Sequence, residues 1–140
     1  MKVLFLCTEN ACRSQMAEAL ANHFFGLKVQ AFSAGIRPGK VHPLALQVLQ
    51  ELGISTEGLR SKHLDEFKGE EFDLAITLCN SAKKHCPYLP GTRKSLHIPV
   101  PDPAPKGTLK AFREVRDLLL LKLKEIFASE GLNGHKGRTA

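Results

Sequence analysis

"LFLCTENACRSQMAEAL", residues 4–20, changes character twice within seventeen positions. It opens as the end of the apolar run Lys2–Cys7, the mark of a short strand buried on both faces. It then breaks into a polar loop and resumes with Met16, Ala19, Leu20 and Phe24 at helical spacing, with Ser14 placed to cap the helix start. A thiol, Cys7, therefore stands where the strand stops, and a guanidinium, Arg13, where the helix starts.

The alternation continues along the chain. "KVQAF" at 28–32 reads as a second strand, followed by a turn-rich stretch from Ser33 to Pro43. Ala45, Val48, Leu49 and Leu52 mark an amphipathic helix stopped by Gly53. "FDLAITLC" at 72–79 is a third strand and "SLHIPV" at 95–100 a weaker fourth. Thr108 then caps a long last helix that turns Phe112, Val115, Leu119 and Ile126 inward. Strands alternating with helices imply right-handed crossovers and a three-layer α/β fold, with about four parallel strands between helices on both faces. Residues 1–129 are expected to form one domain, and the Gly-rich polar segment 130–140 to fray. No internal repeat or low-complexity segment interrupts the pattern.

Composition narrows the function classes. With 43% hydrophobic and 24% charged residues the 140-residue chain is an ordinary globule. No apolar run approaches the ~18 residues that span a bilayer, and the first residues are too short an apolar stretch for a secretory leader. No membrane association and a cytoplasmic location are expected. Four cysteines in that compartment point to catalysis or metal binding rather than structural disulfides. The net charge of +6 favours an anionic partner, but the basic residues are dispersed and the chain has one Tyr and no Trp. A small anion suits this better than nucleic acid.

In a doubly wound sheet, ligands bind beyond the carboxyl ends of the strands, where strand order reverses. Cys7 ends the first strand at that mouth, and the loop leads into a helix whose unpaired N–H groups and positive dipole end attract anions. The same field, with Arg13, favours a thiolate, so Cys7 is expected to be nucleophilic at neutral pH. Arg13 offers a planar fork for two oxygens of a tetrahedral anion. "CTENACRS" lacks the glycines and lysine of a Walker loop. Cysteine, five residues, arginine and a hydroxyl residue, directly after a first strand, resembles the phosphate-binding loop of low-molecular-weight protein tyrosine phosphatases and of the arsenate reductases that share their fold. That resemblance makes Thr8, Glu9, Asn10, Ala11, Cys12, Arg13 and Ser14 the oxyanion cradle. A packed, inert thiol is the expectation for Cys12 itself.

"TLCNSAKKHCPYLP" at 77–90 puts Cys79 at the end of the third strand and Cys86 seven residues on. If strands one and three are neighbours, Cys79 shares an edge with Cys7. Seven residues of helix rise about 10.5 Å, beyond the roughly 7 Å between Cα atoms that a disulfide allows, so a Cys79–Cys86 bond requires this segment to unwind. A zinc site, with His85 or His97, is the structural alternative, although the spacing is not that of paired zinc ligands. The stretch is similar to the redox segment of thioredoxin-coupled arsenate reductases, and the likeness extends from Met1 to about Phe127 through "FSAGI", "PDPA" and "FREVRD". It implies arsenate in the loop, Cys7 as nucleophile, Arg13 as oxyanion clamp, Cys79 and then Cys86 as resolving thiols, and thioredoxin as reductant, with no cofactor and a monomeric enzyme.

The same resemblance raises Asp102, in the proline-stiffened "PVPDPAP", from an ordinary turn aspartate to the acid that protonates the departing oxygen. That role calls for burial or a nearby anion to keep a proton on it. Asn10 is the loop residue best able to take a left-handed conformation and to tie the loop with its side chain. Ser14 serves as helix cap, as donor to the Cys7 sulfur, or as both. Glu9 and Ala11 depart from the glycine and serine of many relatives. Some relatives bind a potassium ion near this loop, and Asn10, Glu18 and Ser33 match part of that site. The stretch "LRSKHLDEF" at 59–67, taken as exposed, departs from the rest, so no ion is expected; for Glu18 a solvated helix position is an equal reading. Two rivals stay open: a phosphatase of the same fold, working through a phosphocysteine, and a non-catalytic zinc-binding or thiol-sensing module.

Overall fold

The computed structural model describes residues 1–79 and 91–132. In chain order it contains β1 (Lys2–Cys7), α1 (Arg13–Phe25), β2 (Gln30–Gly35), α2 (Pro43–Gln50), a 3-10 turn (Leu64–Phe67), β3 (Phe72–Thr77), β4 (Thr92–His97) and α3 (Leu109–Ser129). All strand pairings are parallel and the sheet order is β2-β1-β3-β4. The chain leaves β1 toward β2 on one side and returns to β3 on the other, so strand order reverses at the carboxyl end of β1. A crevice opens there because the two crossovers diverge.

β1 is apolar from Val3 to Cys7 because both its faces are covered there. Val3 and Phe5 join α1, α2 and α3 in the larger cluster, through Met16, Leu20, Val48, Leu49, Phe112, Leu119, Leu123 and Phe127. Leu4 and Leu6 point to the other face, with Cys7, Ala34, Phe72 and Cys79, where Phe32, Leu64 and Phe67 close over them. The edge-to-face rings Phe32, Phe67 and Phe72 seal this smaller cluster.

Several local expectations shift. The second strand begins at Gln30, two residues later than read, because the N–H groups of Lys28 and Val29 finish the end of α1 on the Phe25 carbonyl. It then runs on to Gly35, which pairs with Cys7. Helix α2 ends at Gln50; Gly53 takes φ +74° and reverses the chain, so that Ile54 is buried and Leu52 is left 38% exposed. In α3 the inward face includes Leu123 and Phe127, and Ile126 is only partly buried. Thr108 does cap α3, its hydroxyl accepting from the Ala111 N–H at 3.1 Å. The segment 130–140 falls mostly outside the described residues. Among the described residues no helix is long and apolar enough to cross a membrane.

Candidate active site

The loop between Cys7 and Arg13 is shaped by Asn10, fully buried and at φ +54°, the one non-glycine residue with positive φ among those described. Asparagine takes this conformation at a smaller cost than most residues because its short amide bonds locally. Here Asn10 Nδ2 donates to Ser14 Oγ at 2.7 Å, while Oδ1 accepts from Gln15 Nε2 at 2.9 Å and from the Lys62 N–H at 3.0 Å. The loop is also sutured to the end of β2: the Thr8 carbonyl accepts from the N–H groups of Ile36 and Arg37, both at 2.9 Å. The expectation that Ser14 caps α1 is corrected. The cap position is Cys12, with no side-chain cap, and Ser14 lies inside the first turn, buried, with its oxygen turned to Asn10. The first intrahelical bond runs from the Met16 N–H to the Cys12 carbonyl, so the preceding amides remain the open donor end of the helix.

Above this loop is a cavity of about 590 Å³. Cys7, Thr8, Glu9, Ala11, Cys12 and Arg13 line it from the loop; Asp102, Ala104 and Pro105 line it from the segment before α3. Asn10 and Ser14 are buried behind the lining and shape the cradle from below. Two contributors escaped the sequence reading, Lys40 and His42, which reach the rim from the β2–α2 connection. His42 is set by the first turn of α2, where Nδ1 accepts from the Leu44 N–H, and by its ring lying 4.6 Å from that of Phe112. An N-cap histidine before proline was the available signal. No aromatic side chain other than the His42 imidazole lines the cavity among the described residues.

Arg13 reaches across the cavity floor. One guanidinium nitrogen donates to the Val100 carbonyl at 3.0 Å, another lies 3.7 Å from Asp102 Oδ2, and Nε is buried with no hydrogen-bond partner among the described residues. A group so anchored holds its fork in place before any anion arrives. Asp102 is itself oriented by accepting from the Ala104 N–H at 3.0 Å. The burial expected at this carboxyl is missing, since its side chain is 43% exposed.

β1 and β3 are neighbours, and Cys79 lies beside Cys7 just past the end of β3. The two thiols are hydrogen-bonded to one another, and Thr8 Oγ1 is bonded to Cys79 Sγ at 3.1 Å. This pairing changes the expectation for Cys7. Its hydrogen bond to Cys79 and its burial push the thiol well above the ordinary range, outweighing the pull of Arg13 and of the Thr8 N–H in the other direction. Without an oxyanion, both causes favour the neutral thiol and work against the thiolate expected of Cys7. Burial likewise pushes Cys12 up to about 12, with Asp102 adding to the shift and Arg13 opposing it. Cys86 lies outside the described residues. Among the described residues no group of three or more His, Cys, Asp or Glu side chains is arranged to hold a metal ion.

The stretch 59–67 is not wholly exposed as read: Lys62 is 9% exposed and sits beneath the loop. Gly35 is a further residue that the sequence reading left unassigned. A Cβ there would stand 2.8 Å from the Thr8 carbonyl oxygen and 2.9 Å from the Asn10 nitrogen, so the loop's backbone occupies the space a side chain would need.

Fold and cradle define a class, and the chain belongs to it: residues 2–135 match the low molecular weight phosphotyrosine protein phosphatase family. Within that family, arsenate reductases are among the curated proteins it is similar to. It is 39% identical over 115 residues to arsenate reductase 2 of Staphylococcus epidermidis, spanning 82% of this chain and 87% of that protein. Among solved structures it is similar to an arsenate reductase in the phosphate-binding state, with a TM-score of 0.78, 31% identity and coverage of 91% and 97%. It also resembles a thioredoxin-dependent arsenate reductase of Corynebacterium glutamicum, with a TM-score of 0.67 and 32% identity, covering 91% of this chain and 62% of that one.

Proposed function

We propose that the protein reduces arsenate to arsenite, with Cys7 as nucleophile and Cys79 as the thiol that completes the two-electron step. The observation that carries this reading is the second thiol. Cys79 is buried beside Cys7 and hydrogen-bonded to Thr8, two residues that line the anion cradle, whereas hydrolysis of a phosphate ester would need only one sulfur and a water.

Arsenate enters the cavity as a dianion, held by the open amides at the start of α1 and by the Arg13 fork. The raised Cys7 thiol gives its proton to this dianion, so binding and activation are one event. Cys7 sulfur then forms a bond to arsenic as an oxygen departs, protonated by Asp102, as water. Cys79 sulfur attacks Cys7 sulfur; the sulfur–arsenic bond breaks with its electron pair left on arsenic, giving arsenite and a Cys7–Cys79 disulfide. Cys86 attacks Cys79, releases Cys7 and forms a Cys79–Cys86 disulfide, which the dithiol of thioredoxin reduces. The likeness to a thioredoxin-dependent arsenate reductase supports that choice of reductant. The enzyme acts as a monomer in the cytoplasm and needs no cofactor.

The fold also favours weak phosphatase activity, since phosphate and arsenate have the same shape and charge. Among the described residues the cavity has no aromatic wall for an aryl ester other than the His42 imidazole, so a small inorganic oxyanion is the better substrate.

A single turnover tests this directly: fully reduced protein is mixed with arsenate in the absence of any external reductant. The expected result is one arsenite and the loss of two thiols per chain. Survival of all thiols without arsenite would overturn the reading in favour of phosphate-ester hydrolysis. Cys79→Ser should abolish arsenite formation while sparing hydrolysis of p-nitrophenyl phosphate.

A further inference from the structure

Below the anion cradle lies a charge pair that the reaction does not use. Lys62 is 9% exposed, and its ammonium stands 3.5 Å from Glu18 Oε1 and donates to the Arg60 carbonyl at 3.2 Å. The Glu18 side chain is 15% exposed, and the same Oε1 accepts the hydroxyl of the fully buried Ser33 at 2.7 Å. Lys62 is also the residue whose main chain ties the loop to the sheet. Its N–H donates to Asn10 Oδ1 at 3.0 Å, and its carbonyl accepts from the Gly35 N–H at 2.9 Å. Gln15 Nε2 completes the link by donating to Asn10 and to the Arg60 carbonyl.

A nearly buried carboxylate under an anion cradle is unfavourable twice over: its own desolvation is costly, and its field opposes a dianion above it. Serine and a backbone amide network do not offset a full negative charge. The Lys62 ammonium does, from a position shared by a carboxylate oxygen and a carbonyl oxygen.

We propose that Lys62 is a positioning residue for oxyanion binding: its ammonium is a resident cation that neutralises Glu18 and so keeps the Asn10 turn in its receptive form. Shortening the side chain leaves an oxygen-lined position into which a small ammonium ion fits. This inference rests on the reading of the loop as an oxyanion site and is independent of the electron transfer that follows.

The test reads oxyanion binding without turnover, as protection of Cys7 from iodoacetamide by inorganic phosphate, alongside the kcat and KM for arsenate. Lys62→Ala should weaken phosphate protection and raise the KM roughly tenfold, with a smaller change in kcat. Ammonium chloride should restore both, whereas choline chloride at equal ionic strength should not, and the unmodified protein should respond to neither. Adding Glu18→Gln to Lys62→Ala should restore binding without any salt, because the charge to be neutralised is gone. Unchanged binding in Lys62→Ala overturns the proposal, as does a loss that neither ammonium nor Glu18→Gln repairs, or repair by choline equal to that by ammonium. Should the alanine variant fail to fold, Lys62→Gln keeps most of the stem, and its rescue or non-rescue by Glu18→Gln decides. If the protein proves not to reduce arsenate, phosphate protection still gives the answer.

Discussion

Gly35→Ala is a one-carbon change whose consequence can be worked out atom by atom. Gly35 does not have positive φ and pairs with Cys7 as part of β2, so alanine suits its backbone. The added Cβ, however, meets the Thr8 carbonyl oxygen at 2.8 Å, the Asn10 nitrogen at 2.9 Å and Asn10 Cβ at 3.0 Å. Each is roughly half an ångström inside ordinary contact, and two of the three are backbone atoms that no rotamer change can move. The loop must therefore lift away from β2, straining the bonds from Ile36 and Arg37 to the Thr8 carbonyl and tilting Cys7 and the cradle amides off target. Overpacking of this kind costs about 1–3 kcal/mol, which at this chain length lowers the melting temperature by roughly 3–12 °C. Misplacement of reacting groups by a fraction of an ångström to one ångström reduces turnover by up to about 10²-fold. Arsenate turnover and a thermal melt on the same preparation provide the assay. A folded Gly35→Ala protein with kcat/KM within twofold of the parent would refute the argument that this close approach positions the loop.

Three further outcomes are expected. Stability should fall with pH above about 9, because the folded state keeps protons on Cys7 and Cys12 that the unfolded chain releases near 9.0; for Cys12 the decline runs from there toward about 12, and Cys12→Ser should flatten part of the slope in pH-resolved denaturant titrations. Alkylation of Cys7 by iodoacetamide, without oxyanion, should have its pH midpoint above that of an ordinary thiol, and Cys79→Ala should lower it by removing the hydrogen bond that raises it. Phe112→Ala, which empties a fully buried site and removes the ring against which His42 is held, should destabilise the fold by about 3–5 kcal/mol, read as a lower denaturant midpoint at unchanged slope.

Much of this protein is legible along the chain because the relevant signals are local. The apolar run ending in Cys7, the polar loop, the helical spacing after Arg13 and the cap at Thr108 depend on neighbours within a few residues, and strand alternating with helix restricts the sheet to parallel pairing. Asn10 was readable for the same reason, since few other residues take its backbone conformation cheaply. The tertiary structure decided what depends on distant segments meeting. Sheet order brought Cys79 against Cys7, and that contact, with burial, opposes the pull of Arg13 on the nucleophile. Residues 52 positions apart placed the Lys62 N–H on Asn10, and Lys62, in a stretch that looked solvent-exposed, lies buried beneath the loop. Gly35 is required by the approach of a loop from another part of the chain, which no local pattern announces. Local sequence favours particular φ, ψ and periodicity, whereas desolvation and charge are properties of the assembled neighbourhood, and at this site they act on the sulfur in opposite directions.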